Sequence, residues 1–130
     1  MFIKHSVIIR PFAERHYLKN FSKKYSRAWA ITWRAVCEEL QCFDSLLETS
    51  IAEVIAKNDS IRIAKIEFRV AGTKESRKSS GNRCIVAVHQ ATNSVNVLFV
   101  YHKNDLGHGN ETAQWKQIVK DNYSDYCSLL

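Results

Sequence analysis

The stretch 84–102 carries no Asp, Glu, Lys or Arg, and within it two apolar runs stand back to back, Cys84–Val88 and Val95–Tyr101. Neither run alternates, so neither suits a strand with one wet face. Short continuous apolar runs fit central strands covered on both sides. Ala91-Thr92-Asn93-Ser94 lies between them and reads as a hairpin turn. Whatever the chain folds into must place this hairpin inside a sheet and supply the layers that cover it.

Those layers are legible on either side. Phe2–Arg10 reads as a short strand ended by Pro11. Tyr17, Leu18, Phe21 and Tyr25 recur at helical spacing with Lys19, Lys23 and Lys24 outside. Ser26 is placed to cap a second helix, in which Trp29, Trp33, Val36, Cys37 and Leu40 form an apolar stripe. The two amphipathic helices are expected to pair as a hairpin, with the Trp stripe as core. Near residue 50 the period changes to two. Ile61-Arg62-Ile63 and Ile66-Glu67-Phe68-Arg69-Val70 both alternate, but their apolar parity shifts around Ala64-Lys65. A bulge or kink there would reconcile them. Lys65, Glu67 and Arg69 then project from one face. Ala71–Asn82 is a polar, basic loop, and Asn110 is placed to cap a last helix carrying Trp115, Ile118, Val119 and Tyr123. The expected fold class is α+β: one domain over 1–130, a small antiparallel or mixed sheet of four to five strands, an N-terminal helical hairpin on one face, and a C-terminal helix.

At 130 residues and 45% hydrophobic, the chain is long enough for a real core. Its net charge of +6 favours a polyanionic or acidic partner. The charge is segregated: 1–30 and 57–83 are basic, an acidic segment at 31–56, read as helical, separates them, and 103–130 is nearly balanced. No apolar run is long enough to span a membrane, and the N-terminal residues lack a signal-peptide layout, so a cytoplasmic protein without a membrane partner is expected. The four cysteines have no C-x-x-C spacing and are expected to be reduced and mostly buried. His102, Asp105 and His108 lie in a Gly-rich turn, not on one helix face, so no metal is expected there, and no cofactor motif is present.

Several segments together resemble the RelE/ParE superfamily of type II toxin–antitoxin systems. They are Lys65-Ile-Glu-Phe-Arg69, the basic Gly/Ser loop, Gly81-Asn-Arg83 entering an apolar strand, and the ending Val100-Tyr101-His102-Lys103-Asn104-Asp105-Leu106. The resemblance covers roughly 15–125. It implies a RelE-like fold, a cognate antitoxin protein as partner, and one of two activities. RelE-, HigB- and YoeB-like members cut mRNA, mostly on the ribosome. ParE-like members poison DNA gyrase without cutting RNA. A basic RNA- or protein-binding domain with no toxicity is the third reading.

Metal-independent RNA cleavage needs a 2′-hydroxyl that loses its proton, cations around the phosphate, a proton for the leaving 5′-oxygen and in-line geometry. By resemblance, Arg83 is the phosphate-binding arginine, Lys65 and Arg69 occupy the region of the catalytic lysines, His102 matches a catalytic histidine after a tyrosine, and Lys103 matches a frequent lysine. Glu67 is a possible base. Lys74, Arg77 and Lys78 in the loop are the expected RNA-backbone contacts. Lys65, Arg69, Arg83, His102 and Lys103 are expected to converge on one scissile phosphate, with Arg83 and His102 facing solvent.

Overall fold

The computed structural model describes residues 3–106 and 109–130. A five-stranded mixed sheet has the order β1-β5-β4-β3-β2, with β1 (Ser6–Ile9), β2 (Ala52–Lys57), β3 (Ile61–Phe68), β4 (Asn82–His89) and β5 (Ser94–His102). Only β1–β5 is parallel; the other three pairings are antiparallel. The hairpin expected from the charge-free stretch forms its centre. From Cys84 to Val88 and from Val95 to Tyr101 every side chain is buried.

Helix α1 spans 11–25, an α-helical turn Pro11–Ala13 running through a π-helical stretch Glu14–Leu18 into Lys19–Tyr25. Ser26 is the hinge to α2 (Arg27–Gln41), which leads into the single turn Phe43–Leu46. Ser26 stands at the cap position but makes no side-chain capping bond. Its φ of 49° shows that it serves as the corner instead. Across that corner Phe21 stacks on Trp29, with ring centroids 4.7 Å apart. Both rings approach Phe68 of β3. Helix α3 (Glu111–Asn122) begins at Asn110, whose side chain accepts from Ala113 N at 2.9 Å, as its sequence position predicts.

Even-numbered β3 residues meet the α2 side: Phe68 lies by Trp29, and Arg62 by Phe43 and Asp44. Odd-numbered ones pair with the strand positions that meet the C-terminal segment. Glu67 opposes Arg83, which faces Glu111, and Ile61 opposes His89, which bonds Tyr126. Helical layers therefore cover both faces of the central strands, and this corrects the expected kink in β3. The strand pairs with β4 without a register break from Ile61 to Phe68. Ile63 buries on one face and Ile66 and Phe68 on the other, so the parity shift needs no bulge. The irregularities sit in other strands, between Val54 and Ala56 of β2 and in β5 opposite Ile85/Val86 of β4.

Two further differences concern the margins. The acidic segment read as helical contains β2, whose Ala52-Glu53-Val54-Ile55-Ala56 is a short edge strand. The first strand is also shorter than Phe2–Arg10, and Phe2 lies outside the described residues.

Candidate functional site

The end of β3, the start of β4 and the end of β5 meet at one end of the sheet, joined by the basic loop 69–81. The loop is ordered by its own hydroxyls. Ser80 Oγ donates to the Phe68 carbonyl, and the side chains of Ser76 and Ser79 bond each other at 2.8 Å. Arg77 is paired: its Nη1 lies 2.7 Å from Glu39 Oε2 and ties the loop to α2. Lys74 and Lys78 are exposed, as is Arg69, whose Nη1 reaches the Glu75 carbonyl at 3.4 Å. Since β3 ends at Phe68, Arg69 stands beyond the strand and does not share a strand face with Lys65.

Gly81 closes this end. Its φ is +79°, and its carbonyl accepts from Lys103 N at 2.8 Å. A Cβ added there would lie 2.7 Å from His102 Nε2, so the imidazole rests directly on the glycine backbone. His102 Nδ1 accepts from Asn104 N at 3.1 Å. A backbone N–H can only donate, so the neutral ring carries its proton on Nε2. His102 lines a small pocket with Phe21, Lys24, Tyr25 and Asp105, and Lys103 is exposed beside it.

Arg83 lies on the opposite face. It pairs with Tyr101 across the strands, whereas His102 pairs with Asn82, and strand side chains alternate. The expectation that Arg83 faces solvent is therefore corrected: it is 8% exposed. Its Nη1 donates to the Asn82 carbonyl, Nη2 donates to the Lys78 carbonyl, and Nε lies 3.7 Å from Glu111 Oε2. A buried guanidinium has to be paired, and Glu111 of α3 supplies the carboxylate. Tyr101 donates to the same oxygen at 2.7 Å. Burial first, and then the Glu111 bond, raise the Tyr101 pKa well above the ordinary phenol value. Glu67 sits directly opposite Arg83, and its Oε2 is buried with no hydrogen-bond partner. Lys65, two residues earlier on this face, is half-buried. The five residues expected to converge thus divide: Lys65 and Arg83 on one face of the sheet, with Arg83 against α3, His102 on the other face, Arg69 and Lys103 at the rim.

The sequence pattern did not point to a cleft of about 580 Å³ between α1 and α3, floored by Val100 and Tyr101 and lined by Tyr17, Phe21, Asp105 and Ile118. Its residues come from three separated segments, none with a motif of its own. Of the cysteines, Cys84 is buried and Cys37 half-buried, but Cys42 and Cys127 are exposed, which corrects the expectation of mostly buried thiols. His108 lies outside the described residues, and among those described no group of His, Cys, Asp and Glu is arranged to hold a metal ion.

No family model matches the chain, and no curated protein matches it. Among solved structures, the archaeal RelE–RelB complex from Pyrococcus horikoshii OT3 contains a chain that is similar at 12% identity with a TM-score of 0.48, over 76% of this chain and 94% of that chain. Among the described residues, no helix is long and apolar enough to cross a membrane.

Proposed function

We propose that this chain is a RelE/ParE-type toxin that cleaves mRNA on the ribosome without a metal ion, and that a cognate antitoxin protein silences it by covering the basic end of the sheet. The observation that carries the reading is His102. Its ring is oriented by Asn104 N and seated on Gly81, it keeps a proton on Nε2, and it stands with Lys24 and Lys103 at a sheet end flanked by Arg69, Lys74 and Lys78. In this reading the 2′-oxygen attacks the adjacent phosphorus and its proton passes to water. Lys24, Lys103 and Arg69 hold the developing phosphate charge. His102 Nε2–H donates a hydrogen bond to a non-bridging phosphoryl oxygen and stabilises its developing charge, and water protonates the departing 5′-oxygen, leaving a 2′,3′-cyclic phosphate and a 5′-hydroxyl. Lys74 and Lys78 carry neighbouring phosphates. Arg83 buttresses the loop through the Lys78 carbonyl, and Lys65 and Glu67 complete the charge around it.

The test is primer extension on ribosome-bound mRNA without added metal, comparing wild type with His102→Ala. Cleavage by wild type and its loss in the variant support the reading. Co-purification with the product of an adjacent gene tests the antitoxin. The buried, ion-paired Arg83 favours a second reading, a non-enzymatic inhibitor of DNA gyrase, because the cation expected on the phosphate is not presented to solvent. Growth arrest with no mRNA cut, together with loss of supercoiling activity, would select it.

A further inference from the structure

We infer that the cleft between α1 and α3 is a guanine-binding site, which holds the base of a nucleotide whose phosphate points to His102 and Lys24. The inference deepens the nuclease reading and rests on it for the identity of the nucleic acid. The cleft's volume of about 580 Å³ lies in the usual range for small-ligand pockets and leaves room for a nucleoside. Tyr17, half-buried, gives it an aromatic wall for stacking. Asn20 Nδ2 spends one of its two N–H groups on the His16 carbonyl at 2.9 Å and Gln117 Nε2 one of its two on Asp121 Oδ1 at 2.8 Å, so each amide brings its oxygen and one remaining N–H to the cleft. Asp105 is exposed, makes no hydrogen bond or ion pair among the described residues, and lines both this cleft and the small pocket that contains His102.

An ionised carboxylate accepts only. Guanine offers it two adjacent donors, N1–H and the N2 amino group, which match the two carboxylate oxygens. Adenine would set its N1 acceptor against the carboxylate. Cytosine places an amino donor beside an acceptor, and uracil flanks its one N–H with two carbonyls. Asp105 therefore selects guanine by repulsion as well as by bonding. Since Asp105 joins the two pockets, a base held there directs its sugar-phosphate towards Lys24 and His102, where the cations are.

The experiment is a titration of the full chain with GMP, AMP, CMP and UMP at low ionic strength, followed by calorimetry and by NMR shifts of Tyr17 and Ile118. GMP is expected to bind about tenfold or more tighter than the other three, since a site built around hydrogen-bond partners rejects ligands that leave them unpaired. Asp105→Asn should bring the four to within about threefold of one another by removing the paired acceptors. Asp125→Asn, on an exposed carboxylate of the C-terminal turn, should keep the preference. Equal responses to all four nucleotides, or a GMP preference that survives Asp105→Asn, overturn the assignment. A chain that prefers GMP through Asp105 yet cuts no mRNA keeps the cleft and removes the nuclease reading. A chain that cuts mRNA but does not distinguish the nucleotides removes the cleft alone.

Discussion

Tyr101 on β5 donates its hydroxyl to Glu111 Oε2 at 2.7 Å, and the bond clamps α3 onto the central hairpin. Hydrogen bonds to charged groups contribute about 1.5–3 kcal/mol, and the partial exposure of Glu111 lowers that, so Tyr101→Phe should cost about 1–2 kcal/mol in urea unfolding. The pH dependence has a definite sign. The folded-state pKa of Tyr101 is raised above its unfolded value, mainly by burial and then by Glu111. Its contribution is complete below an unfolded phenol pKa of about 10 and is lost as pH rises past it. Tyr123, pushed up to about 12 mainly by burial, behaves alike. Stability measured from pH 7 to 11 should fall above about 10, and less steeply in Tyr101→Phe. Equal slopes in the two proteins would show that Tyr101 does not titrate with folding.

Arg83 and His102 are neighbours across the β4–β5 pair, yet their substitutions should separate cleanly. Arg83→Ala removes the buried partner of an ion pair with the partly exposed Glu111 and frees two carbonyls, a change that costs about 1.5–3 kcal/mol. His102→Ala should cost under about 1 kcal/mol. Thermal melts of both variants decide it. An Arg83→Ala protein as stable as wild type would contradict the buried pairing.

The reason that split was not legible lies in register. The types and order of Lys65, Glu67, Arg83 and His102 could be read directly, as could the strands that carry them. Which face each occupies depends on pairing Arg83 with Tyr101 and Asn82 with His102. A slip of one residue would bring His102 round to Arg83, and no turn chemistry at Ala91–Ser94 excludes it. The partner of Arg83 also comes from α3, far along the chain. The central strands were legible because burial on both faces leaves continuous apolar runs. Strand β2 was hidden because an edge strand is half-wet, and Glu53 and Lys57 blur its pattern. Asn110 was legible because a cap acts within three residues.

Thiol labelling tests the layer arrangement. Cys42 and Cys127 are exposed. Cys37 is half-buried, and burial followed by the Glu38 charge pushes its pKa up to about 11. Cys84 is fully buried, with its pKa raised further by the same desolvation. Since the thiolate is the reactive form, iodoacetamide at pH 8 should label Cys42 and Cys127 first, Cys37 slowly, and Cys84 only through unfolding. Peptide mass spectrometry over time gives the order. Early labelling of Cys84 would refute the double-covered sheet.

The contact between Gly81 and His102 can be isolated with a matched pair of glycine substitutions. Gly72 and Gly81 sit in the same loop, both at positive φ, +88° and +79°. Alanine at either position pays for the left-handed backbone, about 1–2 kcal/mol. At Gly72 nothing lies within 4 Å of the added Cβ. At Gly81 the Cβ would stand 2.7 Å from His102 Nε2 and 3.2 Å from Lys103 Cγ. The imidazole must therefore swing away, which in the nuclease reading takes its Nε2–H off the phosphate. Gly81→Ala should lower mRNA cleavage by about 10²-fold or more, as the loss of one donor to a developing oxyanion does, while Gly72→Ala cleaves normally. The two should have similar melting temperatures, because they share the backbone strain. Matched stability with unequal cleavage assigns the effect to the position of His102. Equal cleavage by both variants would take His102 out of the chemistry, whatever the activity of the wild-type chain.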